Sequence, residues 1–332
     1  MQSTTEKILS IEKLDDFEDE YVYDIEVNDT HTFFANDILV HNSIYVEFGR
    51  LVKFFHIPKE RQIQFVLDVW EQGCYPYMLK KYDEYAESYN CDKNLQKLEL
   101  EKIADTTILM AKKHYAMSEC WKEPGIFLEP MEEVIYKGLE IIQGSTPPFA
   151  RECQKDFTNY ILMWYQDKEE KIPFELLIQK IKKYKQDFNV KTPDEIAKGA
   201  TIGDYSKFVL NDKNNLALGL HCPIHVKASG IANFMLNKSE NKKYKLKYNM
   251  ITSKDKVKWY YAKCNNNVKN ADNLMALDCF AYLPGSWPGE YALPIDYDMQ
   301  FEKTILEPCN RILKILGYST LNVSLYHTTS LW

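Results

Sequence analysis

The sequence predicts a multidomain chain: a small all-β unit over residues 1–42, an α+β stretch over 43–143 and a mostly α-helical stretch over 144–332. Three observations carry this prediction. The first is charge. The net charge is −7, yet residues 1–42 hold 11 Asp and Glu against 2 Lys, a net −9, and the remainder is net +2. A break in charge at one point marks two units with different partners. The second is alternation of apolar and polar residues before residue 42, the period of a strand. The third is the apolar spacing of three and four that takes over beyond about residue 59, the period of a helix.

Residues 6–27 read as short strands, with Tyr21–Val27 alternating and the turn pair Asn28-Asp29 behind it. A second pair comes next, Thr32–Ala35 and Ile38–Val40, joined through Asn36-Asp37. Such a unit is too short to bury a core by itself, so it needs a partner. From Ser43 the run SIYVEFG alternates, with Ile44, Val46 and Phe48 on one face. Residues 59–89 read as helix, KLELEK (97–102) and AKKHYAM (111–117) as strands, and 150–186 as helix after Pro147-Pro148. A lysine-rich stretch covers 227–269, and a last amphipathic helix covers roughly 299–316, ended by Gly317.

Composition narrows the classes. No window approaches the roughly 18 apolar residues of a membrane helix, and the start MQSTTEKILSIEKLDD lacks the basic and apolar segments of a secretory signal. A cytoplasmic location is expected, with no membrane partner. The eight cysteines are scattered with no CxxC pair, which points to reduced and mostly buried thiols rather than a zinc or iron–sulfur site.

The segment VYDIEVNDTHTFFANDILVHNS (22–43) resembles conserved blocks F and G of inteins. The resemblance implies that residues 1–42 are the C-terminal fragment of a split intein, half of a horseshoe-like Hint fold. The residue types suit splicing chemistry. The Asn42 side-chain amide can attack its own carbonyl carbon, closing a succinimide and cutting the bond to Ser43. The Ser43 hydroxyl can accept an upstream acyl chain once a base takes its proton. His41 adjoins the scissile bond, and histidine titrates near the working pH. By resemblance, His31 matches the block F histidine that assists cyclisation, and Asp24 the block F aspartate that orients the steps. The first intein residue and its activating region are absent. The chain opens with Met1 directly upstream of the β unit, so splicing in trans is expected, with no cofactor. The acidic head suggests a basic N-terminal partner and steered pairing, or simply a solubilising surface.

From Ser43 onward the chain resembles the C-terminal part of family B DNA polymerases, in particular those of large tailed phages. SIYV matches the residues just after the family signature YGDTD, whose metal-binding aspartates would lie on the other polypeptide. KLELEK resembles a strand whose second Glu, here Glu101, is a carboxylate near the metal site. AKKHYA (111–116) resembles the KKRYA motif at the primer terminus, with Lys112, Lys113 and Tyr115 matching and His114 replacing Arg. KGLEIIQGSTPP (137–148) resembles the palm-to-thumb junction, and VKTPDEIAK, CPIHVK, CFAYLPG and FEKTILEP resemble thumb segments. The resemblance implies Mg²⁺ for the joined enzyme, and primer–template DNA and dNTP as ligands. It also implies a sliding clamp that takes the apolar tail ending in Leu331 and Trp332.

Residues 227–269 hold 11 Lys against Glu240 and Asp255, with Tyr and Trp interleaved. Lys227, Lys242, Lys243, Lys245 and Lys247 suit phosphate tracking. Taken alone, the same text also describes a solvated surface over aromatic core contacts. The functional expectation is a precursor that splices in trans and yields the palm end and thumb of a DNA polymerase, inactive by itself. Two other readings compete: a non-splicing intein remnant serving as an assembly module, and a plain DNA-binding fragment.

Overall fold

The computed structural model describes residues 32–35, 38–41, 46–91, 94, 98–168, 170–209, 216–239, 241–263, 267–270 and 273–322. The chain divides into two compact units, residues 1–101 and 102–332.

In the first unit, β1 (Thr32–Ala35) and β2 (Ile38–His41) form an antiparallel hairpin in which Thr32 faces His41 and Ala35 faces Ile38. Two residues, Asn36-Asp37, separate the paired strands in sequence. Val46–Phe48 form no strand, against the expectation from SIYVEFG, and Gly49 opens α1 (Gly49–Phe54). After a 3-10 turn at Lys59–Arg61 comes one helical run: α2 (Gln62–Val69), a π turn (Trp70–Cys74) and α3 (Tyr75–Ser88). Of residues 46–91, only Val66 is buried.

The second unit begins with a four-stranded antiparallel sheet: β3 (Lys102–Ala111), β4 (His114–Lys122), β5 (Ile126–Phe127) and β6 (Glu133–Lys137). β4 is central, between β3 on one side and β5 and β6 on the other, and Tyr115–Trp121 are all buried. Two strand expectations are corrected here. Leu98–Glu101 lie outside the sheet, and β3 starts only at Lys102, where the β-branched run Ile103, Thr106, Thr107 and Ile108 begins. The expected strand 111–117 contains a turn at Lys112-Lys113, so AKKHYAM is a hairpin tip.

Pro148 starts α4 (Pro148–Asp167), as Pro at the first turn of a helix allows. α5 (Phe174–Phe188) is next, then α6 (Pro193–Ile196), β7 (Lys198–Thr201), α7 (Tyr205–Phe208), α8 (Ile224–Lys238) and α9 (Lys242–Lys247). After these come β8 (Lys256–Tyr261), the hairpin β9 (Asn267–Asn270) and β10 (Asn273–Ala276), and β11 (Cys279–Tyr282). α10 (Tyr297–Phe301), a π turn and α11 (Glu307–Ile315) close the described part, and Gly317 stops the helix at φ +72°.

Two apolar clusters result. The first joins the sheet residues Ile108 and Ala116 and, just past the sheet, Leu139 to Phe157 and Ile161 of α4, Ile181 of α5 and Leu313 of α11. It therefore runs without a break across residues 143 and 144. The second packs α8 on the sheet β7-β8-β11, with Tyr260 and Phe280 at its centre. Helices outnumber strands beyond residue 144, but this three-stranded sheet is the floor of the second core. Gln300, fully buried, ties the two clusters: its Nε2 donates to Ile196 O at 2.6 Å, and its Oε1 accepts from Tyr261 N at 3.0 Å. The described cysteines are free thiols; Cys120, Cys153, Cys279 and Cys309 are buried, and Cys91 is exposed.

Candidate nucleic-acid interface

The β3–β4 hairpin places Lys112 and Lys113 at its tip. Ala111 faces His114 across the turn, so the two lysines alone make the connection. Lys113 sits at φ +60°, the left-handed region that side chains with a Cβ enter at a cost of about 1–2 kcal/mol. Surrounding structure holds it there. Gly138, just past β6 and at φ +66°, lies under the turn: a Cβ on it would stand 2.3 Å from Lys113 O and 2.9 Å from His114 Cδ2. His114 Nδ1 is 2.8 Å from Lys112 O, which stiffens the turn further when that nitrogen carries the proton. Tyr115 is buried and faces Lys137 in the ladder, so it braces the tip from within the sheet.

Beside the hairpin lies a groove of about 680 Å³. Met110, His114, Leu139, Ile141, Arg311 and Ile312 are among its lining residues. Arg311 pairs with Glu140 at its edge.

A carboxylate that no sequence motif marks sits in the middle of the sheet. Glu119 of β4 is fully buried, its Oε1 lies 2.6 Å from Lys102 Nζ, and neither oxygen accepts a well-formed hydrogen bond. Next to it, burial and then the nearby Asp105 push the Cys120 thiol up to about 12. The ammonium of Lys102 pairs directly with the buried carboxylate, so the first residue of β3 is tied to the central strand.

The lysines of the second region are divided in use. Lys227 is 2.8 Å from Asp278, and Lys247 is 2.6 Å from Glu290. The Glu290 contact holds Lys247 above the ordinary lysine value, while Lys247 and Tyr248 hold the Glu290 carboxyl down to about 2. Lys245 Nζ donates to Asn237 O at 2.7 Å. Lys242 and Lys243 lie exposed in the first turn of α9. Of the aromatic residues among them, Trp259 and Tyr260 are buried in the second core, Tyr248 is buried against Tyr291, and Tyr244 and Tyr261 are half-buried.

Glu101 is exposed. Among the described residues, no three His, Cys, Asp or Glu side chains converge on a point that could hold a metal ion. His41 ends β2, and only its backbone is described. Asp24, His31, Asn42, Ser43, Leu331 and Trp332 lie outside the described residues. Among the described residues, no helix is long and apolar enough to cross a membrane.

The chain contains a region related to DNA polymerases. Over 144 residues it is 31% identical to a protein described as DNA polymerase from Thermococcus litoralis. The match covers 43% of this chain and 7% of the length of that relative. No family model matches the chain.

Proposed function

We propose that the chain is the C-terminal precursor of a split DNA polymerase, joined to its N-terminal half by protein splicing in trans. The observation that carries the polymerase reading is the 144-residue likeness to a DNA polymerase. The two-lysine hairpin seated on Gly138 supports it by supplying a rigid, cationic tip suited to a phosphate backbone. The splicing reading rests on the sequence around His41-Asn42-Ser43 and on the β1–β2 hairpin that ends at His41.

In the proposed splicing steps, the N-terminal partner presents the upstream chain as an ester or thioester on its first intein residue; Ser43 Oγ attacks that acyl carbon, the bond to the partner's side chain breaks and that side chain leaves as a hydroxyl or thiol, so that the upstream chain moves onto Ser43 Oγ as an ester. His31 takes the hydroxyl proton, and Asp24 orients the histidine. Asn42 Nδ2 then attacks the Asn42 carbonyl carbon. The bond to Ser43 breaks, and the freed Ser43 amine receives the proton that the amide gives up. That amine displaces the ester and leaves a peptide bond.

The joined enzyme would transfer nucleotidyl groups with Mg²⁺. The residues described in this chain do not fit that ion by themselves. Magnesium takes near-octahedral oxygen ligation through one or two carboxylates plus substrate phosphates, and Glu101 stands exposed and single. The carboxylates that would hold it belong to the partner half. In this reading Lys112 and Lys113 hold the primer end, and Lys242 and Lys243 track the duplex.

The test is to co-express the chain with the partner and weigh the products. The expected products are a ligated polypeptide ending at Trp332 and a free 1–42 fragment lighter by one water, the mark of the succinimide. Asn42→Ala should stop at the branched ester, and Ser43→Ala should release 43–332 unligated. Normal ligation by either variant defeats the splicing assignment.

A further inference from the structure

We infer that His114 is the positioning residue of the two-lysine tip: its ring N–H fixes the middle peptide of the turn, and with it the direction in which Lys112 and Lys113 are offered to a phosphate backbone. This rests on the reading of the tip as a contact with DNA, and deepens it.

The turn is one that its own residues do not stabilise. Ala111 pairs with His114, so Lys112 and Lys113 are the two loop residues of a hairpin. The two-residue turns that match the twist of paired strands put a positive φ at the first loop residue. Here the first, Lys112, keeps a negative φ, and the second, Lys113, stands at +60°. That order of signs belongs to a type II turn, whose second loop position favours glycine. A lysine there carries its Cβ into the left-handed region at a cost. The ladder is also irregular just before the turn, between Leu109 and Ala111. Something outside the loop therefore selects this conformation.

Two carbonyl oxygens show what does. The peptide between Lys112 and Lys113 is the middle one of the turn. Rotating it by half a revolution converts type II into type I and returns Lys113 to a negative φ. Its oxygen, Lys112 O, lies 2.8 Å from His114 Nδ1. A carbonyl oxygen only accepts, so Nδ1 is the nitrogen that carries a proton. The other tautomer would set two lone pairs against each other. The next oxygen, Lys113 O, lies over Gly138, where an added Cβ would come to 2.3 Å from it. The same Cβ would stand 2.9 Å from His114 Cδ2, so Gly138 leaves room for the ring as well as for the turn.

The placement of that proton decides what the ring can do. With Nδ1–H given to Lys112 O, a neutral His114 keeps only a lone pair at Nε2. That atom cannot donate to a phosphate oxygen. The anion is left to the ammonium groups of the tip, and the ring acts on it through them. An arginine at this position would be a donor from every nitrogen; a histidine held in this way is not.

The test uses the full chain at pH 8 and three variants. Asparagine places an amide N–H where histidine carries Nδ1, glutamine places one where histidine carries Nε2, and alanine supplies neither. Binding of a primer–template duplex is followed by fluorescence anisotropy over a series of salt concentrations. His114→Ala and His114→Gln should bind about three- to tenfold more weakly, which is the cost of ordering one released long side chain. Their salt slope should match the wild type, since the phosphate contacts themselves remain. His114→Asn should stay within about twofold of the wild type. A salt slope shallower by about 0.9 in His114→Ala means that the ring meets a phosphate itself, and overturns the inference. Equal weakening in all three variants, or weakening in none, also overturns it. Nitrogen NMR of histidine-labelled chain, with the His114 signals identified by their loss in His114→Asn, should show Nδ1 protonated. A bare Nδ1 overturns the inference without reference to DNA. A wild-type chain that binds no primer–template while its ring shows Nδ1–H defeats the interface reading, and this inference falls with it. A wild type that binds while its variants match it defeats this inference alone.

Discussion

Gly138→Ala measures how much the hairpin tip depends on its seat. Two costs add. The backbone at φ +66° is one that alanine adopts at about 1–2 kcal/mol. The new methyl would also stand 2.3 Å from Lys113 O, a backbone atom that cannot rotate away, and 2.9 Å from His114 Cδ2. Relieving such overlap costs typically 1–3 kcal/mol. The reduced entropy of the unfolded chain returns about 0.5 kcal/mol. The expected net loss is about 2–4 kcal/mol. Gly285→Ala supplies the control, because Gly285 has φ +73° and nothing within 4 Å of its added Cβ. It should cost only the backbone part, about 1 kcal/mol. Urea unfolding followed by tryptophan fluorescence gives both numbers, since Trp121 lies in β4 and Trp259 in β8. If Gly138→Ala loses no more than Gly285→Ala, the turn is not seated on Gly138, and the rigidity assigned to the tip fails with it.

Lys113→Gly should raise stability by about 1 kcal/mol, because glycine enters φ +60° freely, while weakening primer–template binding in a fluorescence anisotropy titration; a loss in both would mean that the strain serves packing rather than DNA. Lys102→Ala should cost about 3 kcal/mol by stranding the Glu119 carboxylate in the sheet, and the double variant with Glu119→Gln should recover part of it in the same urea assay; additive losses would contradict the pairing. At α6, hydrogen bonds from the Thr192 backbone N–H and hydroxyl, then Lys191, hold the Glu195 carboxyl down to about 2. A carboxyl depressed in the folded state adds stability above its ordinary range and loses it as pH falls toward 2. The contribution of this exposed cap is below about 1 kcal/mol. Glu195→Gln should accordingly lower stability at pH 7 and not at pH 2, with equal loss at both speaking against the cap.

The sequence shows best those elements whose pattern is local. The β1–β2 hairpin arises from two apolar runs around Asn36-Asp37, and the last helix ends where Gly317 permits a positive φ. The run 62–88 is legible from its apolar period alone. What local pattern misses is set by distant contacts. Lys112-Lys113 is not a turn-forming pair, and it turns because Gly138, 25 residues on, leaves room for it. Trp259 and Tyr260 read as a surface stripe among lysines but lie in β8, the middle strand between β7 and β11, and are buried in the second cluster. Glu119 carries no motif, and its interest comes wholly from burial.

The buried amide of Gln300 has a bearing on how the second unit comes apart. The N–H of Tyr261, on the sheet of one cluster, is sheltered by a side chain rooted in the helix of the other. To expose that one amide, water must reach a space that both clusters close. Its exchange rate is thus a clock for events in which both loosen together, whereas an amide inside either cluster alone would also register smaller openings. Removing the shelter with Gln300→Leu should speed exchange at the Tyr261 amide.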